Sequence, residues 1–392
     1  MSGADEIPGA RMIEHIRIRN FKSLRDVSVD LSPVTVLIGR SGVGKSNFLQ
    51  AIRFLRNFLV SGTAPIGPEG GWPGICPFGV PAELAFDVRF RLPGYDQTFE
   101  YGIAWKPIAP EARLHHERLA FAGKSIFERS ASSWSKWPGL GQEPKDFTRS
   151  YLSTFPMITE AVLAYTAWTS GVGWHDFPAT VFAEAAPKGT GRANPRADGL
   201  DDSANNYLDI LREITQDLRD QGPRRHMLAR VKQINPTVGA IELDSVLGPT
   251  TVIVTHVLGD QRVALNLSQE SDGFRRYYAH LLALYQTPPK QLLMFEEPEN
   301  GIYPGALRNL AEEFKSAAEA GRGQVLLTTQ SPDLLDGFEP ESLRVVDLDD
   351  QQATRIAPLD SAQLLAVKDQ LLEPGELLTV TAPKGAAIAT AQ

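Results

Sequence analysis

The chain has 392 residues, of which 42% are hydrophobic, and its formal net charge is −8. A chain of this length can bury a substantial core in one large domain or two. The net negative charge excludes a protein that binds nucleic acid through a wholly basic surface, but it does not exclude a local basic groove. A single cysteine, Cys76, excludes an internal disulfide framework, no apolar run reaches bilayer length, and Met1–Ala10 lacks the features of a signal peptide. We therefore expect a cytoplasmic protein that does not insert into a membrane.

A glycine-rich loop near the N-terminus lies between a predicted strand and a predicted helix. The apolar run Val34–Ile38 predicts a buried strand. The loop after it matches G-x-x-x-x-G-K-[ST] with Gly39, Arg40, Ser41, Gly42, Val43, Gly44, Lys45 and Ser46. Helical spacing then follows at Phe48, Ala51, Ile52, Leu55 and Leu59.

This order of strand, loop and helix is the context in which the pattern, called Walker A, holds phosphates. The glycines let backbone N–H groups converge on an anion, and the helix N-terminus adds a favourable partial charge. We expect Lys45 to reach the β- and γ-phosphates, Ser46 to bind Mg²⁺, and Asn47 to complete the binding segment. The alternative is a glycine-rich turn that binds nothing, and the two correct flanks disfavour it. The chain is predicted to bind a nucleoside triphosphate.

Residues 1–106 otherwise predict a β-rich lobe around this loop. Alternating apolar residues predict a half-buried strand at Val27–Leu31 and an antiparallel hairpin from Leu84–Leu92 and Phe99–Trp105. The Gly/Pro-rich segment Gly62–Pro81 is predicted to be a surface connection.

Residues 107–240 are predicted to form a mostly helical insertion or lid. Helical spacing appears at Ile158–Trp168 and Asn206–Leu218, and Ala185–Asp202 has a loop composition. No heptad pattern persists, which excludes a long coiled-coil arm. A basic cluster is either a solvated helix face or a phosphate-contact patch, and it comprises Arg224, Arg225, His226, Arg230 and Lys232.

Residues 241–377 predict the second half of an α/β domain. The expected elements, in chain order, are a hairpin from Thr251–Leu258 and Arg262–Leu267, a helix from Ser271 to Tyr285, a strand Leu292–Phe295, a helix from Pro304 to Gly321, strands Val325–Thr328 and Leu343–Leu348, and a helix Ala362–Leu372. Residues 378–392 are predicted to be a disordered tail, most clearly from Thr381 onward.

Two carboxylates end the apolar strand before Pro298. In P-loop enzymes the first acidic residue at such a position holds Mg²⁺, and the next orients or deprotonates the attacking water. We assign Glu296 to the metal and Glu297 to the water. Chance placement of two acids is the alternative, and the Walker A pattern disfavours it.

An ordered set of segments resembles the RecF/SMC-like ABC-type P-loop ATPases. The set comprises Arg17–Leu24, the Walker A loop, Ser271-Asp272-Gly273, Glu296–Gly301 and Thr328–Pro332. In form the chain is most similar to compact AAA-family ATPases related to the OLD family, several of which act in bacterial antiphage defence. The resemblance covers about the first hundred residues and residues 267–377, and it implies an ABC-ATPase head of the α/β class.

The resemblance also implies a head-to-tail dimer that encloses two ATP molecules. Ser271, Asp272 and Gly273 would be the signature segment that reaches the γ-phosphate on the other protomer, and an ordinary helix N-cap is the alternative role for Ser271. Glu299–Gly301 would contact the partner as a D-loop.

Gln330 occupies the position where many relatives carry a catalytic switch histidine, and Tyr303 a position where they often carry histidine. A glutamine hydrogen-bonds but does not titrate near neutral pH. The resemblance therefore predicts slow hydrolysis, or hydrolysis that depends on a partner or on DNA.

Other activities have weaker sequence support. Asp347 and Asp349 form a D-x-D element typical of TOPRIM nucleases, but no acidic residue on a separate strand completes a two-metal site, so we expect no nuclease in this chain. The chain lacks the N-K-x-D segment with which a GTPase reads guanine, so ATP is favoured. It also lacks the full L-S-G-G-Q signature of a transporter ATPase.

The expected function is Mg-ATP hydrolysis coupled to a DNA-linked activity, first antiphage defence with a separate nuclease or toxin partner. The alternative is an ATP-gated clamp or scaffold in DNA repair with little turnover. Expected partners are a second copy of the chain, that nuclease or toxin, and DNA. These expectations rest on the resemblance.

Overall fold

Seven antiparallel strands form the N-terminal lobe. The computed structural model describes residues 12–61, 71–80, 82–108, 111–137, 149–154, 158–183, 199–216, 221–244 and 250–387. The strands are β1 (Ile13–Phe21), β2 (Leu24–Asp30), β4 (Leu84–Arg91), β5 (Thr98–Ile108), β6 (Glu111–Phe121), β7 (Lys124–Ser130) and β8 (Trp134–Lys136). Their order is β2-β1-β4-β5-β6-β7-β8, and the antiparallel pairing of β4 with β5 confirms the predicted hairpin.

A second, mostly parallel sheet carries the glycine-rich loop. It contains β3 (Val34–Ile38), β9 (Val172–His175), β13 (Leu292–Glu296), β14 (Gln324–Thr328), β15 (Leu343–Leu348) and β16 (Thr354–Pro358). The order is β16-β15-β3-β14-β13-β9, and only β16 runs antiparallel to its neighbour. The central strands are continuous apolar runs because helices and the first sheet cover both faces. The glycine-rich loop follows β3, at the edge where the parallel strands end, which is where α/β sheets bind ligands.

Helices fill the space between the two sheets and cover the far face of the second. They are α1 (Lys45–Ser61), α2 (Trp72–Ile75), α3 (Tyr151–Thr154), α4 (Thr159–Thr169), α5 (Tyr207–Gln216), α6 (Gly222–Ile234), α7 (Asp272–Tyr285), α8 (Leu307–Glu319), α9 (Pro332–Leu335), α10 (Ser361–Lys368) and α11 (Glu376–Thr379). Helix α1 contacts β1 on one side and β9 and β13 on the other. Helices α7 and α8 pack in the core on the opposite face of the second sheet.

A small third sheet lies beside α6, which contacts β10. It consists of β10 (Val238–Asp244), β11 (Thr251–Leu258) and β12 (Gln261–Asn266), all antiparallel. The pairing of β11 with β12 confirms the second predicted hairpin. Strands β9, β10 and β16 were not among the predicted elements.

The region 107–240 is not one separate helical insertion. Its predicted start falls inside the β5–β6 hairpin, and β6 to β8 continue the first sheet. Strand β9 then pairs with β13 in the second sheet. Helices α4 and α5 are present close to their predicted positions where they are described, and a further helix, α6, carries the basic cluster. Strands as short as β8 and β9 carry little periodicity, which explains why the sequence pattern did not predict them.

One predicted loop also differs, and a second is mostly not described. Within Gly62–Pro81, the side chains of Trp72, Ile75 and Cys76 are buried, so the described part of this segment packs into the core of the N-terminal lobe and is not only a surface connection. Most of the predicted loop Ala185–Asp202 lies outside the described residues.

The described part of the predicted disordered tail is ordered. The backbone of Gly385 pairs with Leu359, and Ala386 N donates to Pro358 O at 2.8 Å. The side chain of Gln363 also bonds the backbones of Ala382 and Lys384. Residues 388–392 lie outside the description.

A buried ion pair ties residues 149–154 to the first sheet. Arg129 Nη2 donates to Glu117 Oε2 at 2.6 Å, and both side chains are at most 2% exposed. Glu117 also accepts from the hydroxyls of Tyr101 and Ser150 and from the backbone N–H of Tyr151. Burying a carboxylate is tolerated here because several donors compensate for its lost hydration.

Removing the arginine leaves Glu117 with fewer donors in a dry site. We expect Arg129→Met to lower the free energy of unfolding by about 3–5 kcal/mol, measured by urea denaturation. The matched change Arg17→Met breaks the half-exposed pair with Asp26 and should cost less than about 1 kcal/mol. Equal effects of the two changes would contradict this account.

Candidate active site

The predicted Walker A residues and two predicted C-terminal residues meet in one cleft. It is lined by Ser41, Gly42, Gly44, Lys45, Ser46, Asn47, Glu297 and Gln330. Strand β14 lies between β3 and β13, so the loops after these three strands meet at one edge. The cleft therefore unites residues that are more than 240 positions apart in the chain.

Lys45 places a buried ammonium group at this cleft. The residue is 5% exposed, and its Nζ donates to the carbonyl oxygens of Gly39 at 2.7 Å and Arg40 at 2.9 Å. Burial lowers the pKa of Lys45 below its ordinary value, while the nearby carboxylates of Glu297 and Glu299 raise it. A buried cation with only neutral direct partners favours an anionic ligand, because an anion would compensate for its desolvation.

Glycine is required at two positions of the loop. Gly44 has a φ of +106°, and a Cβ there would lie 2.1 Å from Thr354 Oγ1. Gly39 has a φ of +150°, and a Cβ there would lie 2.2 Å from the carbonyl oxygen of Val346. The loop is thus packed tightly against β15 and β16 on the side away from the cleft. The side chain of Val43 is buried, whereas Arg40 is exposed at the loop.

A chain of side-chain hydrogen bonds crosses the cleft. Ser41 Oγ donates to Gln330 Oε1 at 2.8 Å, and Gln330 Nε2 donates to Glu297 Oε1. Glu297 has a φ of +43°, and its backbone N–H donates to Thr328 Oγ1 at 3.1 Å. A left-handed conformation at a non-glycine residue is uncommon and is often found at functional sites. Gln330 accepts with its amide oxygen and donates with its amide nitrogen, so it links Ser41 of the glycine-rich loop to Glu297.

Glu299 fixes the residues next to this chain of hydrogen bonds. Its Oε1 accepts from Thr329 Oγ1 and from the backbone N–H of Gln330, both at 2.8 Å. Burial raises the pKa of Glu299, and the neighbouring Glu297 contributes in the same direction. Asn300 Nδ2 donates to the other oxygen of Glu297 at 3.3 Å. The segment Glu297–Asn300 therefore fixes the backbone of Gln330 through Glu299 and orients its own Glu297 through Asn300.

Glu296 occupies the last position of β13 and is not among the residues that line the cleft. Among the described residues, no group of three or more His, Cys, Asp or Glu side chains is placed to hold a metal ion. A P-loop site does not need such a group, because Mg²⁺ is held there by one hydroxyl, one carboxylate, phosphate oxygens and water. The hydroxyl of Ser46 and the carboxylates at the end of β13 provide this donor set, so the residues present fit Mg²⁺.

The predicted signature segment lies away from the cleft of its own chain. Ser271 is the N-cap of α7, its Oγ accepts from the N–H of Phe274 at 3.3 Å, and both Ser271 and Asp272 are exposed. A Cβ on Gly273 would lie 2.8 Å from the carbonyl oxygen of Gly301. The signature segment thus adjoins the predicted D-loop, and Arg276 Nη1 donates to Asn300 O between them.

The basic cluster on α6 is largely engaged within the chain. His226 Nε2 lies 3.0 Å from Glu313 Oε2, Arg230 Nε lies 2.5 Å from Glu313 Oε1, and Glu313 is fully buried. Arg224 approaches Glu242 at 3.9 Å, while Arg225 and Lys232 are exposed. These contacts explain the cluster as the attachment of α6 to α8 rather than as a continuous phosphate-contact patch.

Three contributors to the site lacked an assigned role in the sequence. Ser23 and Thr354 contact the back of the glycine-rich loop, and Arg276 connects α7 to Asn300. Ser23 belongs to the Arg17–Leu24 segment and could have been noted there. Thr354 and Arg276 stand in no recognisable pattern, because only folding brings Thr354 to the glycine-rich loop and Arg276 to Asn300.

The fold and this cleft define a P-loop ATPase domain of the ABC-ATPase head type. The sequence family described as "AAA domain, putative AbiEii toxin, Type IV TA system" (AAA_21) matches residues 34–336. The chain belongs to this family. No helix in the described ranges combines the length and apolar character needed to span a bilayer.

Two curated proteins are similar in sequence. The Old nuclease of Escherichia phage P2 is 23% identical over 345 residues, which is 82% of this chain and 56% of the nuclease. The DNA replication and repair protein RecF of Pseudarthrobacter chlorophenolicus is 39% identical over 87 residues, 22% of this chain and 19% of RecF. The chain therefore spans about half of the first relative's length and a fifth of the second's.

Solved SMC head domains share the fold. One, bound to the C-winged helix domain of ScpA, covers 90% of this chain with a TM-score of 0.56 and 13% identity. Another, with an extended coiled coil and bound to the C-terminal domain of ScpA derived from Pyrococcus furiosus, covers 92% of this chain with a TM-score of 0.56 and 12% identity. Each match includes 99% of the solved chain. These likenesses confirm the predicted fold of an SMC-like ATPase head.

The pKa of Glu299 makes stability depend on pH in a defined direction. Because burial raises that pKa, the folded chain favours the neutral acid, so this stabilising contribution is complete at low pH and is lost as pH rises through the raised value. We expect Glu299→Gln to gain stability relative to the wild type as pH rises from about 4 to 7, measured by urea unfolding at several pH values.

Glu341 provides a control of opposite sign. Its hydrogen bond to Lys368 lowers its pKa, so the wild type should lose stability relative to Glu341→Gln as pH falls, by a smaller amount because both groups are exposed. Parallel pH profiles for the Glu299→Gln variant and the wild type would contradict the role of burial at Glu299.

Proposed function

We propose that this chain binds and hydrolyses Mg-ATP. The observation that carries the proposal is the buried Lys45 ammonium in a glycine-lined cleft that Glu297 and Gln330 face from the second half of the domain. The backbone N–H groups of the loop and the N-terminus of α1 would bind the β- and γ-phosphates together with Lys45. Ser46 and Glu296 would hold Mg²⁺, which supplies charge stabilisation at the transferred phosphoryl group.

In this proposal Glu297 receives the proton of the attacking water. Its carboxylate already accepts from Gln330 and Asn300, so it is oriented before a nucleotide binds. Gln330 also contacts Ser41, so it is placed to hydrogen-bond the γ-phosphate or the water once these replace its present partners. Many relatives carry a histidine at this position. Because Gln330 does not titrate near neutral pH, it contributes hydrogen bonds but no proton transfer.

We further propose that the working form is a head-to-tail dimer. The exposed Ser271 lies outside the cleft of its own chain, so a γ-phosphate contact from Ser271 would require a second copy. The hydroxyl and N–H groups at the start of α7 suit an anion. Closure on ATP and reopening after hydrolysis would then couple nucleotide state to a partner.

A DNA-linked role in antiphage defence, with a separate nuclease or toxin partner, is the biological context we propose. The names of the relatives support it, since one is a phage nuclease and the other a DNA replication and repair protein. The D-x-D element of this chain has structural partners: Asp347 pairs with Arg355, and Asp349 accepts from backbone N–H groups in a turn. An ATP-gated clamp in DNA repair is the second candidate, favoured by glutamine at position 330.

Two substitutions separate binding from chemistry. Lys45→Ala should abolish measurable binding of Mg-ATP, because the buried cation in the cleft is lost. Glu297→Gln should retain binding but lower kcat by about 10²- to 10⁴-fold, because the amide does not accept the water's proton. Isothermal titration and phosphate release measure the two effects.

The distant change Glu319→Gln is the control and should alter neither quantity. Unchanged binding and hydrolysis in Lys45→Ala would contradict the proposed function. If Glu297→Gln retained the activity of a partner while trapping an ATP-bound dimer, the clamp would be favoured over an engine that needs turnover.

The dimer has its own test. Wild-type specific activity should rise with protein concentration, and Ser271→Ala should lower kcat by about tenfold or more while leaving nucleotide affinity of the monomer unchanged. Light scattering with Mg-ATP and Glu297→Gln measures association. Hydrolysis by Ser271→Ala equal to wild type at every protein concentration would exclude this role.

A further inference from the structure

Three side chains from separate parts of the chain contact the back of the glycine-rich loop. Asn47 Nδ2 lies 2.8 Å from Ser23 Oγ, Ser23 Oγ lies 2.6 Å from Thr354 Oγ1, and Thr354 Oγ1 lies 2.7 Å from the carbonyl oxygen of Val43. Ser23 is in the turn between β1 and β2, and Thr354 begins β16. We call Ser23, Asn47 and Thr354 the hydroxyl clasp.

The direction of every bond in the clasp follows from counting hydrogens. The carbonyl of Val43 only accepts, so Thr354 gives its single hydroxyl hydrogen to it. Ser23 must then donate its own hydroxyl hydrogen to Thr354, and a lone pair of Ser23 Oγ accepts from the amide of Asn47. The chain of bonds runs from Asn47 at the start of α1 through Ser23 and Thr354 to Val43 in the glycine-rich loop.

The clasp closes around Gly44–Ser46. A Cβ on Gly44 would lie 2.1 Å from Thr354 Oγ1 and 2.7 Å from Ser23 Oγ, so both hydroxyls are in direct contact with this turn. Thr354 is itself fixed, because it is 3% exposed and its N–H donates to Ser23 O at 2.9 Å. The hydroxyls of Ser23 and Thr354 therefore pack directly against this turn, and Thr354 also bonds the residue before it.

We infer that the hydroxyl clasp positions the backbone N–H groups of Gly44, Lys45 and Ser46 for the phosphates of the nucleotide. This inference rests on the proposed ATP site and adds Ser23 and Thr354 to it as positioning residues that do not touch the ligand. A loop that is ordered in advance loses less entropy on binding. In the clasp the Asn47 amide donates to Ser23, so it ties the start of α1 to the turn between β1 and β2.

Thr354→Val tests the clasp with almost no change in volume. It removes the hydroxyl and leaves the carbonyl of Val43 without its partner, so the Kd and KM for Mg-ATP should rise by about three- to thirtyfold. The loop binds ground state and transition state alike, so kcat should stay within about twofold. Thr354→Ser keeps the hydroxyl and should restore Kd to within about twofold of wild type.

Thr35→Val is the matched control. Thr35 is also fully buried, and its hydroxyl bonds Ser32 at the other end of β3. Both valine variants lose a buried hydroxyl and should lose similar thermal stability, but only Thr354→Val should weaken binding. Ser23→Ala leaves the bond from Thr354 to Val43 in place, so its Kd should rise less, by about two- to fivefold.

The outcomes distinguish this inference from the proposed function. A Kd for Thr354→Val equal to that of wild type, or an equal rise in Thr35→Val, would overturn the clasp while ATP binding stands. If Thr354→Val does not fold, a Kd for Ser23→Ala indistinguishable from wild type overturns the clasp instead. Wild-type protein that binds no Mg-ATP would refute the proposed function and the clasp with it.

Discussion

The buried ammonium of Lys45 is the constraint on which the rest of the site depends. A cation at 5% exposure is tolerated only where dipoles and nearby carboxylates compensate for its lost hydration. Here the carbonyls of the glycine-rich loop hold it directly, and Glu297 and Glu299 act on it through space. The loop must therefore keep its shape, and the second half of the domain must bring acids to the same edge of the sheet. Both requirements are met by a parallel sheet whose strands end together.

Because the parallel strands end at one edge of the sheet, the side chains that follow them hydrogen-bond one another. Gln330 joins the glycine-rich loop to Glu297, and Glu299 and Asn300 fix Gln330 and Glu297 in turn. Arg276 extends these contacts to the helix that begins at Ser271. The cleft and the exposed signature segment are thus joined through short polar contacts rather than through the apolar core.

The sequence predicted the parts of the fold that carry strong local patterns. The two hairpins, the strands around the glycine-rich loop and the helix after it were found because alternation, helical spacing and turn residues agree there. Strands β9, β10 and β16 were missed, since a few apolar residues between loops are compatible with any element. The β-rich continuation through β6 to β8 was missed for a related reason. Its polar outer face and the mixed inner face around Glu117 and Arg129 weaken the expected alternation.

For the site, the sequence by itself determined the chemistry of the glycine-rich loop, because glycines, a lysine and a serine at fixed spacing leave few other uses for that backbone. It also placed Glu296 and Glu297 at the end of one apolar strand and Gln330 shortly after another. Only the tertiary structure decided that Glu297 and Gln330 line the cleft while Ser271 lies outside it. It alone brought Thr354, more than 300 residues from the loop, against Gly44. A hydroxyl that bonds one carbonyl oxygen leaves no periodic trace in a sequence, so contacts of this kind emerge only when distant strands pair.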